Sequence, residues 1–164
     1  MEKRKAIIKK IRSKKCIIDI HTHIGIMYKN FLNYSYPYCL SFEDLVVRMK
    51  FLGIDYSVIF PMYSSYYRVD LNESKTVTTT EEFSKFPYEI ENQNLLKEIY
   101  EIFPEYSSRA IPFLMFDPSR KTKEQAELFE VLYKKYPVFG LKTCTTYIQS
   151  FVKDLETKGK PILD

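Results

Sequence analysis

Four short apolar runs alternate along the chain with amphipathic stretches, and this alternation restricts the fold more than any other feature. The runs are CIIDI at 16–20, YSVIF at 56–60, AIPFLMF at 110–116 and VFGLKT at 138–143. Their length and their content of β-branched residues are typical of buried strands. Apolar strands separated by helices form parallel sheets built from βαβ units. We therefore predict an α/β fold with helices covering a parallel sheet.

The amphipathic stretches predict three helices, at 41–52, 92–103 and 122–136. Ser41 followed by Asp44 resembles a capping box, which marks the start of the first of them. In the second, apolar residues recur at helical spacing, and Pro104 stops the pattern. The residues expected on its buried face are Leu95, Leu96, Ile99, Ile102 and Phe103.

The first fifteen residues, MEKRKAIIKKIRSKK, predict a basic cap helix within a single domain that covers 1–164. We expect Ala6, Ile7, Ile8 and Ile11 to pack inward and the cations to face solvent. A helix this basic, in a chain of net charge +4, could also contact nucleic acid or an acidic membrane surface. We favour the solvated helix, and so expect neither nucleic acid nor membrane as a partner.

Cysteine usage and the absence of targeting signals indicate a cytoplasmic protein. Cys16, Cys39 and Cys144 are widely spaced and form neither a disulfide framework nor a CxxC metal motif. No signal peptide and no apolar segment long enough to cross a bilayer is present in the sequence. With four glycines, the chain also lacks a glycine-rich phosphate-binding motif.

The two histidines of the chain, His21 and His23, stand at the end of the first apolar run. Residues at i and i+2 of a strand point the same way, so we expect them to share a face with Asp19. Two buried imidazoles need a common partner, and a divalent metal is one. The alternative is a pair of hydrogen-bonded core histidines. Asp19 would support the histidines from behind or be a satisfied core carboxylate.

Three segments together resemble the amidohydrolase superfamily, in particular the amidohydrolase-related (type 2) metal-dependent hydrolases and decarboxylases. IIDIHTHIG resembles the family's metal motif on strand one. ENQNLLKEIYEIFPEYSSRAIPFLMFDPSR resembles its second helix and third strand, and FGLKTCTTYIQ resembles its fourth-strand segment. The resemblance implies a distorted (β/α)₈ barrel, a small-molecule substrate, and Zn²⁺ or alternatively Mn²⁺ bound by His21 and His23.

The chain departs from the family pattern at the fourth strand. Lys142 stands at the family's lysine, whereas Cys144 replaces the usual histidine and Thr145 the usual proline. Cys144 could ligate a metal, act as a nucleophile or simply be a small buried residue. Lys142 could bind an anion or extend into solvent. For a substrate carboxylate we favour Arg68 over Arg109, since Arg109 precedes its strand.

The second departure is length. Four strand–helix units amount to about half of a barrel that typically needs about 250 residues, so we expect the N-terminal half of a barrel. One alternative is a non-catalytic half-barrel or interaction module with an incomplete metal site. A weaker one is a TatD-like nuclease, which needs a glutamate after strand four. Self-association or a complementing half-barrel would close the open sheet. Two long segments, 24–40 and 63–91, leave the C-terminal face of the sheet, and for the second we expect a substrate-covering flap or, alternatively, a disordered insertion.

Overall fold

A computed structural model describes residues 2–13, 15–26, 39–62, 68–70, 75–77, 84–144 and 150–163, with the backbone alone at 39, 68–70 and 75–77. Several sequence predictions therefore lie outside the described residues. They concern the middle of segment 24–40, most of segment 63–91, Thr145, and the side chains of Cys39 and Arg68.

The predicted parallel sheet is confirmed. Its strands are β1 (Ile18–Ile26), β3 (Tyr56–Pro61), β6 (Ala110–Met115) and β7 (Gly140–Lys142), and neighbours in the sheet are consecutive and parallel. Helices follow each of the first three strands in sequence, which makes the architecture a series of βαβ-type units.

Short strands also occur in the two long connections. In the first, β2 (Cys39–Leu40) pairs antiparallel with the last two residues of β1 and forms one edge of the sheet. In the second, β4 (Arg68–Asp70) and β5 (Lys75–Val77) form a separate antiparallel hairpin. The segment predicted to be a flap therefore contains regular structure of its own.

The basic helix α1 (Glu2–Ser13) and α2 (Phe42–Leu52) form where the sequence predicts them. The capping box of α2 is present: the amide of Asp44 donates to the Ser41 hydroxyl, and the Ser41 amide donates to the Asp44 carboxylate. Gly53 ends α2 with a φ of 70°, a left-handed conformation that glycine adopts without a Cβ penalty.

The predicted second helix differs from the observed one at both ends. α3 spans Glu89–Lys97, starting three residues early, and continues as a π-helical turn at Glu98–Ile102. A wider π turn shifts the phase of the side chains that follow it. Ile102, predicted to be buried, is consequently 56% exposed. A 3₁₀ segment, Pro104–Arg109, then leads into β6.

The C-terminal part of the chain adds two helices. α4 (Thr122–Lys135) matches its predicted bounds to within one residue and connects β6 to β7. After a 3₁₀ turn at Val152–Asp154, the short α5 (Lys160–Leu163) packs against α4. Within the described ranges, no helix is both long enough and apolar enough to span a bilayer.

The two faces of the sheet have different neighbours. Ile59 of β3 packs with α2 and α3, as do Ile24 of β1 and Ala110 of β6. Alternate residues of β3 point to the opposite face, which we call the inner face. They pack there in two clusters, one containing Tyr56 and the other Phe60. Helices thus cover one face, while the inner face is lined by aromatic residues.

Helix α1 closes the inner face at the N-terminal ends of the strands. Ile7 is buried in a cluster with Tyr56 and Ile111, each at the start of its strand. The guanidinium of Arg4 donates to the carbonyl of Val138, just before β7. A helix forms in this basic segment, but its inward face is narrower than predicted. Ile11 packs partly inward, whereas Ala6 and Ile8 are exposed, because only one stripe of a helix can face the sheet.

Candidate metal centre

The sequence HTH lies within β1, beside an irregularity in its pairing with β3. Asp19 pairs with Ser57 and Thr22 with Ile59, so two residues of β1, Ile20 and His21, stand opposite a single residue of β3. Such a bulge reverses the alternation of faces beyond it. Asp19 therefore faces the helices, whereas His23, the partner of Phe60, faces inward.

Our prediction that Asp19 shares a face with both histidines is therefore wrong. The Asp19 carboxylate instead accepts hydrogen bonds from the His21 amide at 3.0 Å, from the Thr22 hydroxyl and from the Ser57 hydroxyl at 3.3 Å. Burial acts to raise the pKa of Asp19, but these hydrogen bonds outweigh it and hold the pKa below its ordinary value. Asp19 thus anchors the bulge and, through the backbone, the position of His21.

The imidazoles of His21 and His23 converge. Their Nε2 atoms lie 3.2 Å apart, and their ring centroids are 5.2 Å apart. Two nitrogens bound tetrahedrally to one zinc ion at 2.0–2.1 Å would be separated by about 3.3 Å. The spacing suits either one shared cation or a hydrogen bond from one Nε2–H to the other Nε2. Both interpretations of the motif predict this convergence.

The second nitrogen of His23 has a defined partner. Its Nδ1 lies 2.9 Å from the carbonyl oxygen of Pro61, at the end of β3. A carbonyl can only accept, so Nδ1 carries the proton and, in the neutral ring, Nε2 carries the lone pair. Burial lowers the pKa of His23, the Pro61 bond partly opposes this, and the charges of His21 and Lys142 lower it further. His23 is thus a neutral imidazole with Nε2 directed at His21, which is the tautomer that a metal requires.

An aromatic ring and a cation lie close to the pair. The ring of Phe60 lies 5.2 Å from that of His21 and 5.4 Å from that of His23, measured between centroids. The ammonium of Lys142 lies 5.3 Å from the centroid of Phe60, on the same cluster. Lys142 ends β7, so the fourth strand of the parallel sheet brings a positive charge to the histidines of the first.

The other candidate residues occupy different positions. Cys144 is partly buried and packs with Phe60 and the cluster around it, near the pair but within apolar surroundings. Arg109 directly precedes β6 and donates to the carbonyl of Ile54. It therefore lies at the N-terminal side of the sheet, at the opposite end of the strands from the histidines. The backbone of Arg68 lies in the hairpin, and its side chain is outside the described residues.

The histidine pair supplies two metal ligands, one fewer than a catalytic zinc site usually has. No cluster of three or more histidine, cysteine, aspartate or glutamate side chains suited to a metal occurs in the described part of the chain. A catalytic zinc ion usually has three protein ligands. The pair alone would therefore hold a metal more weakly than a complete site.

Sequence reasoning missed Phe60 and Pro61, which orient the two imidazoles. In the sequence, Phe60 is the last residue of the second apolar run and Pro61 follows it directly. The Phe-Pro sequence lies at the C-terminal end of the strand that neighbours β1, where inward residues contact the histidines. Once parallel pairing is assumed, that position is the available signal, because neither residue type is a usual site residue.

Comparison with known proteins gives no match to a family model, to a curated protein or to a solved structure. The resemblance to the amidohydrolases therefore depends on the sequence motifs alone.

Proposed function

We propose that this chain is a metal-dependent enzyme of the amidohydrolase-related type, which hydrolyses C–N or C–O bonds or decarboxylates a small molecule. The observation that carries the proposal is the hydrogen bond from His23 Nδ1 to the Pro61 carbonyl. It leaves the Nε2 lone pair of His23 directed at the Nε2 of His21, 3.2 Å away. In this proposal the four parallel strands are part of a distorted (β/α)₈ barrel, with the histidines at its C-terminal face.

His21 and His23 would hold the metal, Zn²⁺ or Mn²⁺. A divalent cation bound there would supply Lewis acidity, polarising a carbonyl and activating water. Asp19 would keep the bulge, and hence His21, in place. Further ligands and the general base would come from outside the described residues, from a second copy of the chain or from a complementing half-barrel.

Lys142 and Phe60 would orient the substrate. Phe60 forms an apolar wall against both imidazoles, and Lys142 places an ammonium over that wall. None of the ion pairs among the described residues involves Lys142. Its charge is therefore available to a carboxylate or a developing oxyanion on the substrate. Arg68, in the hairpin, would be a second carboxylate ligand.

The alternative is a non-catalytic module in which the imidazoles share a hydrogen bond and no metal binds. The finding that the described residues bring only two ligands together favours it. A TatD-like nuclease is less well supported, because the residues after β7 are Thr143 and Cys144 rather than a glutamate.

Titration of metal-free protein with Co²⁺, followed by visible absorption, tests the proposal. We expect a tetrahedral Co²⁺ spectrum for the natural sequence and none for the double variant H21A/H23A. The variant C144S is the matched control: if the thiol ligates the metal, its charge-transfer band disappears, and otherwise the spectrum is unchanged.

Activity is then measured on ester, amide and carboxylated aromatic substrates with Zn²⁺ or Mn²⁺ added. Turnover that H21A and H23A each abolish supports the enzyme. If Co²⁺ binds no more tightly to the natural sequence than to H21A/H23A, the proposal is wrong and the hydrogen-bonded pair is the correct interpretation.

A further inference from the structure

Helix α1 carries an uncompensated positive charge. It contains six cations and one carboxylate, a net charge of +5, whereas the whole chain has a net charge of +4. All the other residues together are therefore close to neutral. Five of the six cations are exposed: Lys3, Lys5, Lys9, Lys10 and Arg12. The ion pairs found among the described residues include none of them.

The arrangement of these cations is regular. Lys5, Ile8, Lys9 and Arg12 follow the i, i+3, i+4, i+7 spacing of a single helix face and, with Ser13, line a shallow groove along the helix. Ile8 is 37% exposed and lies between the cations. The opposite face is used by the fold, since Ile7 is buried against the starts of β3 and β6. The basic face therefore cannot be withdrawn into the core, and it belongs to a helix that the fold holds in place.

We propose that the basic face of α1 docks the protein on the surface of an acidic phospholipid membrane. Lys5, Lys9 and Arg12 cluster on one face of an amphipathic helix, and cations clustered in this way attract anionic headgroups. The exposed Ile8 adds an apolar side chain that can enter the interface. The helix has no aromatic residue on which nucleic-acid bases could stack.

The position of α1 gives this docking a consequence. The helix packs at the N-terminal ends of the parallel strands, whereas the His21–His23 pair and Lys142 lie toward their C-terminal ends. A membrane bound to α1 would leave the histidines at the opposite end of the sheet, open to soluble ligands. The proposal differs from our sequence-based expectation of a solvated cap helix, and it does not depend on the metal site.

Co-sedimentation of the full chain with vesicles of phosphatidylcholine, with and without phosphatidylserine, tests the proposal. We expect binding only when phosphatidylserine is present, and loss of binding at high salt because the attraction is screened. The variant K5Q/K9Q should bind about 25-fold more weakly, from roughly fivefold per lysine near the surface. The matched control K97Q/K123Q removes the same charge from exposed positions on α3 and α4 and should bind like the natural sequence.

Three results would overturn the proposal. They are equal binding to both kinds of vesicle, equal weakening by the two double variants, and binding of a single-stranded RNA oligonucleotide with no binding to phosphatidylserine. Urea unfolding of K5Q/K9Q checks that α1 remains docked. A change in midpoint there calls for the variant K9Q alone, for which a fivefold weakening is expected.

Discussion

The Nδ1–H of His23 donates to the carbonyl of Pro61 across 2.9 Å, and this bond joins β1 to the end of β3 at the candidate metal centre. It orients the half-buried imidazole, whereas the exposed ring of His21 contacts the rings of Phe60 and His23. The two imidazoles are therefore unequal: a backbone carbonyl orients the ring of His23, and among the described residues no hydrogen bond to the backbone orients the ring of His21.

This inequality predicts that H23A weakens metal binding more than H21A does. After H21A, the remaining imidazole keeps its Pro61 bond and its orientation, and such an outer bond is typically worth 10- to 100-fold in affinity. We expect H23A to bind Co²⁺ at least about tenfold more weakly than H21A, by isothermal titration of metal-free protein. Equal losses in the two variants would show that the Pro61 bond does not orient a ligand.

Replacing Asp19 with asparagine should destabilise the bulge. Asparagine has one acceptor oxygen where Asp19 has two, so the His21 amide and the Thr22 and Ser57 hydroxyls cannot all keep their present bonds, and an unmade bond of this kind costs about 1–3 kcal/mol. We expect D19N to lower the free energy of unfolding by that amount in urea, and S57A, which removes one donor, to lower it by less. If D19N and S57A have equal effects, the Thr22 bond contributes nothing.

The stability contribution of Asp19 should also depend on pH. Its pKa in the folded protein lies below the ordinary value of 3.8, so the unfolded chain takes up the proton first as the solution is acidified. The contribution is present above pH 3.8 and is lost as the pH falls through the folded-state pKa. The difference in unfolding midpoint between the natural sequence and D19N should therefore shrink in acid, which urea titrations across this range would measure.

Glu98 should give the stability of the protein a pH dependence of the opposite sign. Burial raises its pKa, the bond that it accepts from the Phe42 amide at 2.6 Å lowers it, and the charge of Asp44 raises it again, so the pKa lies above 4.5. The folded protein then holds this proton more tightly than the unfolded chain does. Stability from this group is full below pH 4.5 and is lost as the pH rises through the folded-state pKa.

The variant E98Q isolates that effect, because the glutamine oxygen can still accept from Phe42. We expect E98Q to remove this loss of stability above pH 4.5, as measured by urea unfolding at a series of pH values. The exposed residue Glu105 gives the control E105Q, which should keep the pH dependence of the natural sequence. If E98Q retains that dependence as well, Glu98 is not its source.

Gly140, the first residue of β7, lies against the ring of Phe113. A β-carbon there would lie 2.5 Å from Cε2 of Phe113, whose ring packs edge-on against Phe60 at a centroid distance of 5.8 Å. We expect G140A to destabilise the protein by about 1–3 kcal/mol through overpacking. Because leucine is shorter, the double variant G140A/F113L should be more stable than the sum of the single changes allows. Additive effects in urea unfolding would show that the strain lies elsewhere.

The local pattern of the sequence was sufficient to predict the elements that depend on neighbouring residues. Apolar runs predicted all four parallel strands, and the Ser41–Asp44 pair predicted the start of α2, because capping and burial periodicity are short-range properties. The i, i+2 spacing of His21 and His23 predicted that they share a face, and their rings do converge, although β1 extends to Ile26 rather than ending at residue 20. Whether the sheet is part of a barrel, and which reaction it supports, remain proposals.

Tertiary structure decided the features that need a partner distant in the chain. The bulge depends on how Asp19 and Thr22 pair with Ser57 and Ile59, and it moves Asp19 to the other face of the sheet from His23. The tautomer of His23 depends on Pro61, 38 residues later. A strand's alternation is a local property, but its register is set by the strand it pairs with, and one extra residue is enough to reverse every face beyond it.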